Sequence, residues 1–367
     1  MNHMPDTLRS STRQRVAATP AVAGHQPLAI AFAIAACFAA VSSARAQPSG
    51  AQAIHGSATV TQKGAQTTVT TQNGAGTRHS AINWQSFGIP AGTSTWFAQP
   101  GSASTSINRV MGSDPSAIFG TLGSNGRLVL VNPAGITVGT GAVVDTAGFT
   151  ASTLRMSDAD ALAGRLTFGG TGSDGTALRV GGKVVARGGD VVLIGHNIEV
   201  DGTGVVQAIG GDTILAAGRK VAVTGRGLEG IHLELAAPSD QALNLGTLQG
   251  DSVGMFAGQL RHSGLAQAQS ASLQGGRLVL RADGDALVDG RLDASSAQGV
   301  GGSIDVLGHR VALFGPARLD TSGAAGGGQI RSGGDYQGAN AEVRNASRTF
   351  GGADVTVNAD AGDRGNG

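Results

Sequence analysis

The sequence holds one cysteine, Cys37, in 367 residues. A disulfide-stapled scaffold is therefore excluded. Charged residues make up 14%, against roughly 25% in an ordinary globular domain. The net charge is +1, and no basic patch with interleaved aromatics exists to track phosphates, so nucleic-acid binding is unsupported. There are only 10 Phe, 2 Trp and 1 Tyr, too few large side chains for a thick core. Long apolar runs are missing too: Leu28 to Val41 is extended, yet shorter than the roughly twenty residues of a spanning helix.

Glycine is abundant instead, with 61 residues. Val, Ile, Leu and Ala broken by Gly and Asp predict a narrow core between short strands and sharp turns. From Ala177 onward the pattern repeats. Gly188-Gly189-Asp190 before Val191-Val192-Leu193 returns as Gly210-Gly211-Asp212 before Thr213-Ile214-Leu215, an offset of 22. Gly275-Gly276, Gly301-Gly302 and Gly327-Gly328 each precede a short apolar strand at an offset of 26. Leu292-Asp293-Ala294-Ser295 returns as Leu319-Asp320-Thr321-Ser322, an offset of 27. Short strands and glycine turns recurring at this period predict an all-β solenoid, a right-handed parallel β-helix with an N-terminal cap. At about 23 residues per coil, about fourteen coils are expected.

Residues 1–46 have the form of a signal peptide. Arg9, Arg13 and Arg15 precede the apolar run, and Ala44-Arg45-Ala46 offers a small-residue cleavage site. A membrane anchor and a lipoprotein box at Ile34-Ala35-Ala36-Cys37 are the rival readings. The apolar run continuing past Cys37 favours cleavage after Ala46. That cut removes the cysteine and leaves a net charge of −2. An exported chain without cysteine can thread a narrow pore unhindered by a cross-linked loop.

After Ala58-Thr59-Val60-Thr61-Gln62 and Thr67-Thr68-Val69-Thr70-Thr71, which alternate at strand period, the chain becomes distinctive. It reads Ile82-Asn83-Trp84-Gln85-Ser86-Phe87, Asn108-Arg109-Val110, Gly112-Ser113-Asp114-Pro115-Ser116, then Leu128 to Val131 followed by Asn132-Pro133-Ala134-Gly135-Ile136, and Ala151-Ser152-Thr153-Leu154. Asn, Pro and Gly at the first, second and fourth positions suit a type I turn. Trp84, Phe87, Trp96, Phe97 and Phe119 are expected to plug the exposed core at one end.

In order and spacing, residues 82–154 resemble the haemagglutination-activity part of the two-partner-secretion exoproteins, the filamentous-haemagglutinin family. The family's element Asn-Pro-Asn-Gly-Ile carries Ala134 at its third position here, and the family's Asn-Pro-Asn-Leu is absent. The resemblance implies a secreted, adhesin-like protein of a Gram-negative bacterium that passes the periplasm and leaves through a dedicated outer-membrane barrel transporter with periplasmic recognition domains. It also implies a secretion motif at Asn83, Trp84, Asn132, Pro133, Gly135 and Ile136, with no catalysis and no cofactor. A host surface or a haem protein is a further expected partner. Two alternatives stand beside this reading: a haem- or haemopexin-binding exoprotein, and a carbohydrate-active β-helix enzyme.

Other motifs carry less. Gly225-Arg226-Gly227-Leu228-Glu229-Gly230 has dinucleotide-binding spacing without a βαβ context. Gly169-Gly170-Thr171-Gly172-Ser173-Asp174 matches a single calcium-binding nonapeptide, a site that needs stacked copies. Asp283, Asp285 and Asp289 offer weak calcium ligands, although Asp at coil corners caps turns. His55, His79, His196, His232, His262 and His309 lack metal-ligand spacing, and no Ser–His–Asp set is indicated. The expected organisation is a signal peptide over 1–46, a cap and secretion core over 47–165, further coils over 166–350, and an incomplete or frayed coil over 351–367. The last expectation comes with a truncated or split exoprotein that associates end to end.

Overall fold

The intervals between glycine pairs are the lengths of the coils. Val191 pairs in register with Thr213, Ser303 with Arg277 and Gln329, and Leu292 with Leu319. Each repeat noted in the sequence is one turn of a parallel β-helix. The computed structural model describes residues 47–170, 176–234, 237–269, 275–362 and 365. The expected signal peptide, with its cleavage site and Cys37, lies outside these residues, as do positions 171–174 of the nonapeptide match.

Three long sheets run along the helix, with 11, 9 and 12 strands. Apart from the antiparallel cap, in which Gln52–His55 pairs with His79–Trp84 and Ser57–Lys63 with Gln66–Gln72, every ladder in them is parallel. A corner must let one coil lie directly on the next, and the second glycine of each pair makes this possible. A Cβ on Gly302 would stand 1.9 Å from the Gly276 carbonyl oxygen, and one on Gly328 would stand 2.0 Å from that of Gly302. Those carbonyls instead accept from Ser303 and Gln329 N–H. Asp293 and Asp320 cap the opposite corner, each accepting from the backbone and hydroxyl of the serine two residues on.

The coil count differs from the expected fourteen. Three coils among the described residues are much longer than the rest: Arg187 hydrogen bonds to Asp145 across 42 residues, Ser252 to Asp212 across 40, and Ser347 to His309 across 38. In the last of these the surplus is the 333–347 segment with its turn at Tyr336–Gly338; in the other two it leaves the helix as two excursions. The first holds helix Asp158–Ala163, capped by the Ser157 hydroxyl at the Asp160 N–H and by Gly164 in the left-handed region, and then strand Leu166–Gly169. Ser157 and then Arg165 hold the Asp160 carboxyl below its usual range. The second excursion is the hairpin of Lys220–Val223 and Ile231–Glu234, which pairs antiparallel with Leu166–Gly169 in a separate three-stranded sheet.

These excursions create a second core that the sequence reading did not expect. The interior of the helix is filled by small aliphatics such as Val144, Val184, Val206, Leu248 and Ala266. Ala81, Ile107, Val129, Val192 and Ile214 point the other way, outward from the eleven-stranded sheet, and are covered by Leu154, Met156, Phe168 and Val221. Where the excursions cover it the sheet is buried on both faces, so Arg127–Val131, Val191–Gly195 and Thr213–Ala217 read as near-continuous apolar runs and not as alternation.

The Gly225–Gly230 loop has a structural task. Arg226 donates to the Gly188 and Gly210 carbonyls, while the N–H groups of Gly227 and Leu228 donate to Asp190 and Asp212. It pins the second excursion to two stacked corners. Burial, the largest influence, raises the Asp212 carboxyl above its usual value. Asp283, Asp285 and Asp289 do not cap turns as expected: they pair with Arg344, Arg310 and Arg261. Of the five aromatics expected to form the plug, Trp84, Phe87 and Phe97 do so, while Trp96 and Phe119 are 40% and 38% exposed. Their rings lie on the outside, where a Cβ on Gly123 or Gly139 would collide with them.

His262 is fully buried in the nine-stranded sheet. Its Nδ1 accepts from Asn244 at 3.1 Å and its Nε2–H donates to the Arg291 carbonyl at 3.1 Å. Burial lowers its pKa to about 4 from 6.5. Because the unfolded chain takes up this proton first, the contribution to stability is whole above pH 6.5. It falls as pH drops towards 4, by about 3 kcal/mol in all. Urea denaturation of wild type and His262→Gln should show a steeper loss between pH 6.5 and 4 in the wild type. Parallel pH profiles would refute the assignment.

Candidate functional site

The strand Arg127–Val131 ends at a corner where the chain turns into the strand Ile136–Val138. Asn132 occupies this corner with no solvent exposure, and each of its polar groups is engaged. Its N–H donates to the Ser152 carbonyl of the following coil, and its carbonyl accepts from Gly135 at 3.0 Å, closing the turn. Oδ1 accepts from the Ala134 N–H at 2.9 Å, while Nδ2 donates to the Asp114 carbonyl and the Ser116 hydroxyl of the preceding coil, both at 2.9 Å. One residue thus ties three coils together, its side chain reaching the preceding coil and its backbone N–H the following one. Aspartate would lose the two donated bonds, and a longer amide would misplace them.

Gly135 has φ +121°, a conformation that L side chains rarely adopt. The space around it is ordinary, with a Cβ 3.5 Å from the nearest atom, so the requirement for glycine is conformational and not steric. Its carbonyl accepts from Ser116 N–H. Ile136 is 1% exposed and enters the interior core. Pro133 and Ala134 are half-buried and face a cleft.

Trp84 is 1% exposed and sits in the same eleven-stranded sheet. Its indole N–H donates to Asn108 Oδ1 at 3.0 Å, and the Asn108 amide donates to the Ser106 carbonyl. Phe87 packs edge-on at 5.5 Å and Phe97 at 6.5 Å. Asn83 pairs with Arg109, which pairs with Val131 beside the turn. The six expected residues therefore lie along one corner of neighbouring coils. Trp84, Asn132 and Ile136 are buried, so their side chains act in the folded protein as structural groups.

The sequence reading missed the cleft beside this corner. It holds about 590 Å³ and is lined by the 109–113 segment, Val131, Pro133, Ala134, Arg155, Met156 and Thr176. Arg109 is buried on the sheet's outer face and paired with Asp158 of the first excursion. A single charged residue in the strand Thr105–Val110 was the available signal. Its partner lies 49 residues away, beyond any local pattern.

The bonds rank the corner residues. Denaturant unfolding should show Asn132→Ala costing about 3 kcal/mol, from buried groups left without partners. Gly135→Ala should cost about 2 kcal/mol in backbone strain, and Pro133→Ala under about 1 kcal/mol. Equal costs, or Pro133 as the largest, would contradict this account of the turn.

Comparison with known proteins agrees with this geometry. The model of the TPS secretion domain matches residues 44–294. The crystal structure of the HMW1 secretion domain from Haemophilus influenzae superposes with a TM-score of 0.79 at 31% identity, covering 86% of this chain and 84% of that one. Two heme/hemopexin-binding proteins of Haemophilus influenzae are 36% identical over 115 residues and 37% identical over 78 residues. These matches cover 31% and 21% of this chain, but only 12% and 8% of those relatives. The chain belongs to the TPS secretion domain family, and it is a two-partner-secretion exoprotein built on a parallel β-helix.

Proposed function

We propose that the chain is the adhesin-like, non-enzymatic secretion module of its two-partner system. A signal peptide over residues 1–46 takes it to the periplasm, and periplasmic domains of the outer-membrane barrel transporter receive it there. The segment 82–136 is the part they engage. Coils then stack outside the cell, and because no nucleotide is available at the outer membrane, that stacking opposes return through the pore. The organisation that fits is a cap and secretion core over 47–165, continued by coils over 166–350 and an incomplete or frayed coil over 351–367.

The observation that carries this reading is the Asn132 corner. Its bonds reach the coils before and after it, so the residues proposed to guide export also lock the first coils once outside. A second reading, binding of haem or a haem-carrying protein, is favoured by the two heme/hemopexin-binding relatives.

Export and stability separate the two roles of the corner. In cells expressing the transporter, replacing Asn132, Pro133 and Gly135 together should remove most of the protein from the medium. Unchanged secretion and unchanged melting of the triple variant would refute the reading. Changed melting with normal secretion would reduce the motif to structure alone. For the second reading, haemin added to purified protein should produce a saturable shift of its main absorption band; an unshifted spectrum would dismiss it.

A further inference from the structure

The cleft beside the Asn132 corner offers a binding site distinct from the bonds of the turn itself. Its volume, about 590 Å³, is that of a small-molecule site. Met111, Val131, Pro133 and Met156 supply apolar walls, Arg109 and Arg155 supply positive charge, and no carboxylate is among the described lining residues.

Arg109 is held in an unusual state. Its side chain is 6% exposed, and Nη2 serves both Asp158 and the Met111 sulfur, the latter at 3.7 Å. Nη1 is shielded from solvent and has no hydrogen-bond partner. A buried guanidinium N–H without an acceptor is costly, and folded proteins rarely leave one. Arg155, at the exposed side of the cleft, makes no side-chain hydrogen bond or ion pair among the described residues. Asp158 meets the charge of Arg109 through Nη2, but Arg109 Nη1 and the Arg155 guanidinium have no acceptor among the described residues. Met111 is 57% exposed, and its flexible thioether can swing aside to open Nη1 to an entering group.

We propose that this cleft binds a small apolar carboxylate. The carboxylate is shared between Arg109 Nη1 and Arg155, whose planar forks match its geometry. The apolar body lies along Met111, Pro133 and Met156. Arg109 comes from a coil and Arg155 from the first excursion, so the site exists only after both have folded. The ligand is therefore met by the folded protein, and the inference stands or falls independently of the export motif.

Calorimetric titration of the purified folded protein tests this. Decanoate should bind, and the uncharged decanol should bind at least tenfold more weakly. Arg155→Gln, an exposed change that leaves the fold intact by circular dichroism, should weaken decanoate about tenfold and leave decanol unaltered, with Arg155→Lys recovering part of the loss. Metal-free protoporphyrin, a planar dicarboxylate, distinguishes the apolar body: tighter binding than decanoate, lost in Arg155→Gln, assigns a ring, and the reverse order assigns an acyl chain. The proposal is overturned if neither acid binds, or if binding is undiminished in Arg155→Gln.

Discussion

The backbone ladder between successive coils is the constraint on which the rest of the structure depends. Each strand finds its hydrogen-bonding partners in the coil before and the coil after, as Val191 does between Phe149 and Thr213. A one-residue slip in the ladder would move every side chain of its strand to the other face. Corners therefore carry the specification. Gly302 and Gly328 let backbones touch, Asp293 and Asp320 cap, and Asn132 binds coils on both sides.

The excursions solve a problem created by that ladder. The N-terminal strands of the eleven-stranded sheet present apolar residues outward as well as inward, and water would meet Ile107, Val129, Val192 and Ile214 without the covering helix and three-stranded sheet. Polar bonds at the rim fix the cover: Arg109 to Asp158 at one side, Arg226 and Asp212 at the other. Apolar area supplies the energy, and these bonds set the position. Past the second excursion the outer face grows polar, as Arg281, Asp305 and Arg331 show, with Asp305 and Arg331 in a bidentate pair.

How much was legible in the sequence follows from what is local. The glycine pairs and Leu-Asp-x-Ser corners recur within one coil, so fold class and register could be read from their spacing. The Asn-Pro-Ala-Gly turn was legible because its own bonds span three residues. The coil number was not, because Ser157 to Arg165 reads as ordinary polar chain until Asp158 meets Arg109. The loop at Gly225 resembled a nucleotide motif only in letters; its glycines serve close docking on Asp190 and Asp212. The exposure of Trp96 depends on Gly123 in the next coil, which no single strand reveals.

Burial from both sides should make one group of strands the last to open. Native-state hydrogen exchange measures this directly, residue by residue. The account predicts that amides in Thr105–Val110, Arg127–Val131, Gly148–Ser152, Val191–Gly195 and Thr213–Ala217 exchange slowest and with a common opening free energy. Arg348–Gly351 and Thr356–Asn358, whose side chains are largely exposed, should exchange far faster. Equal protection of the two groups, or faster exchange at Arg127–Val131 than at Arg348–Gly351, would contradict a β-helix organised by its doubly covered sheet and the Asn132 corner.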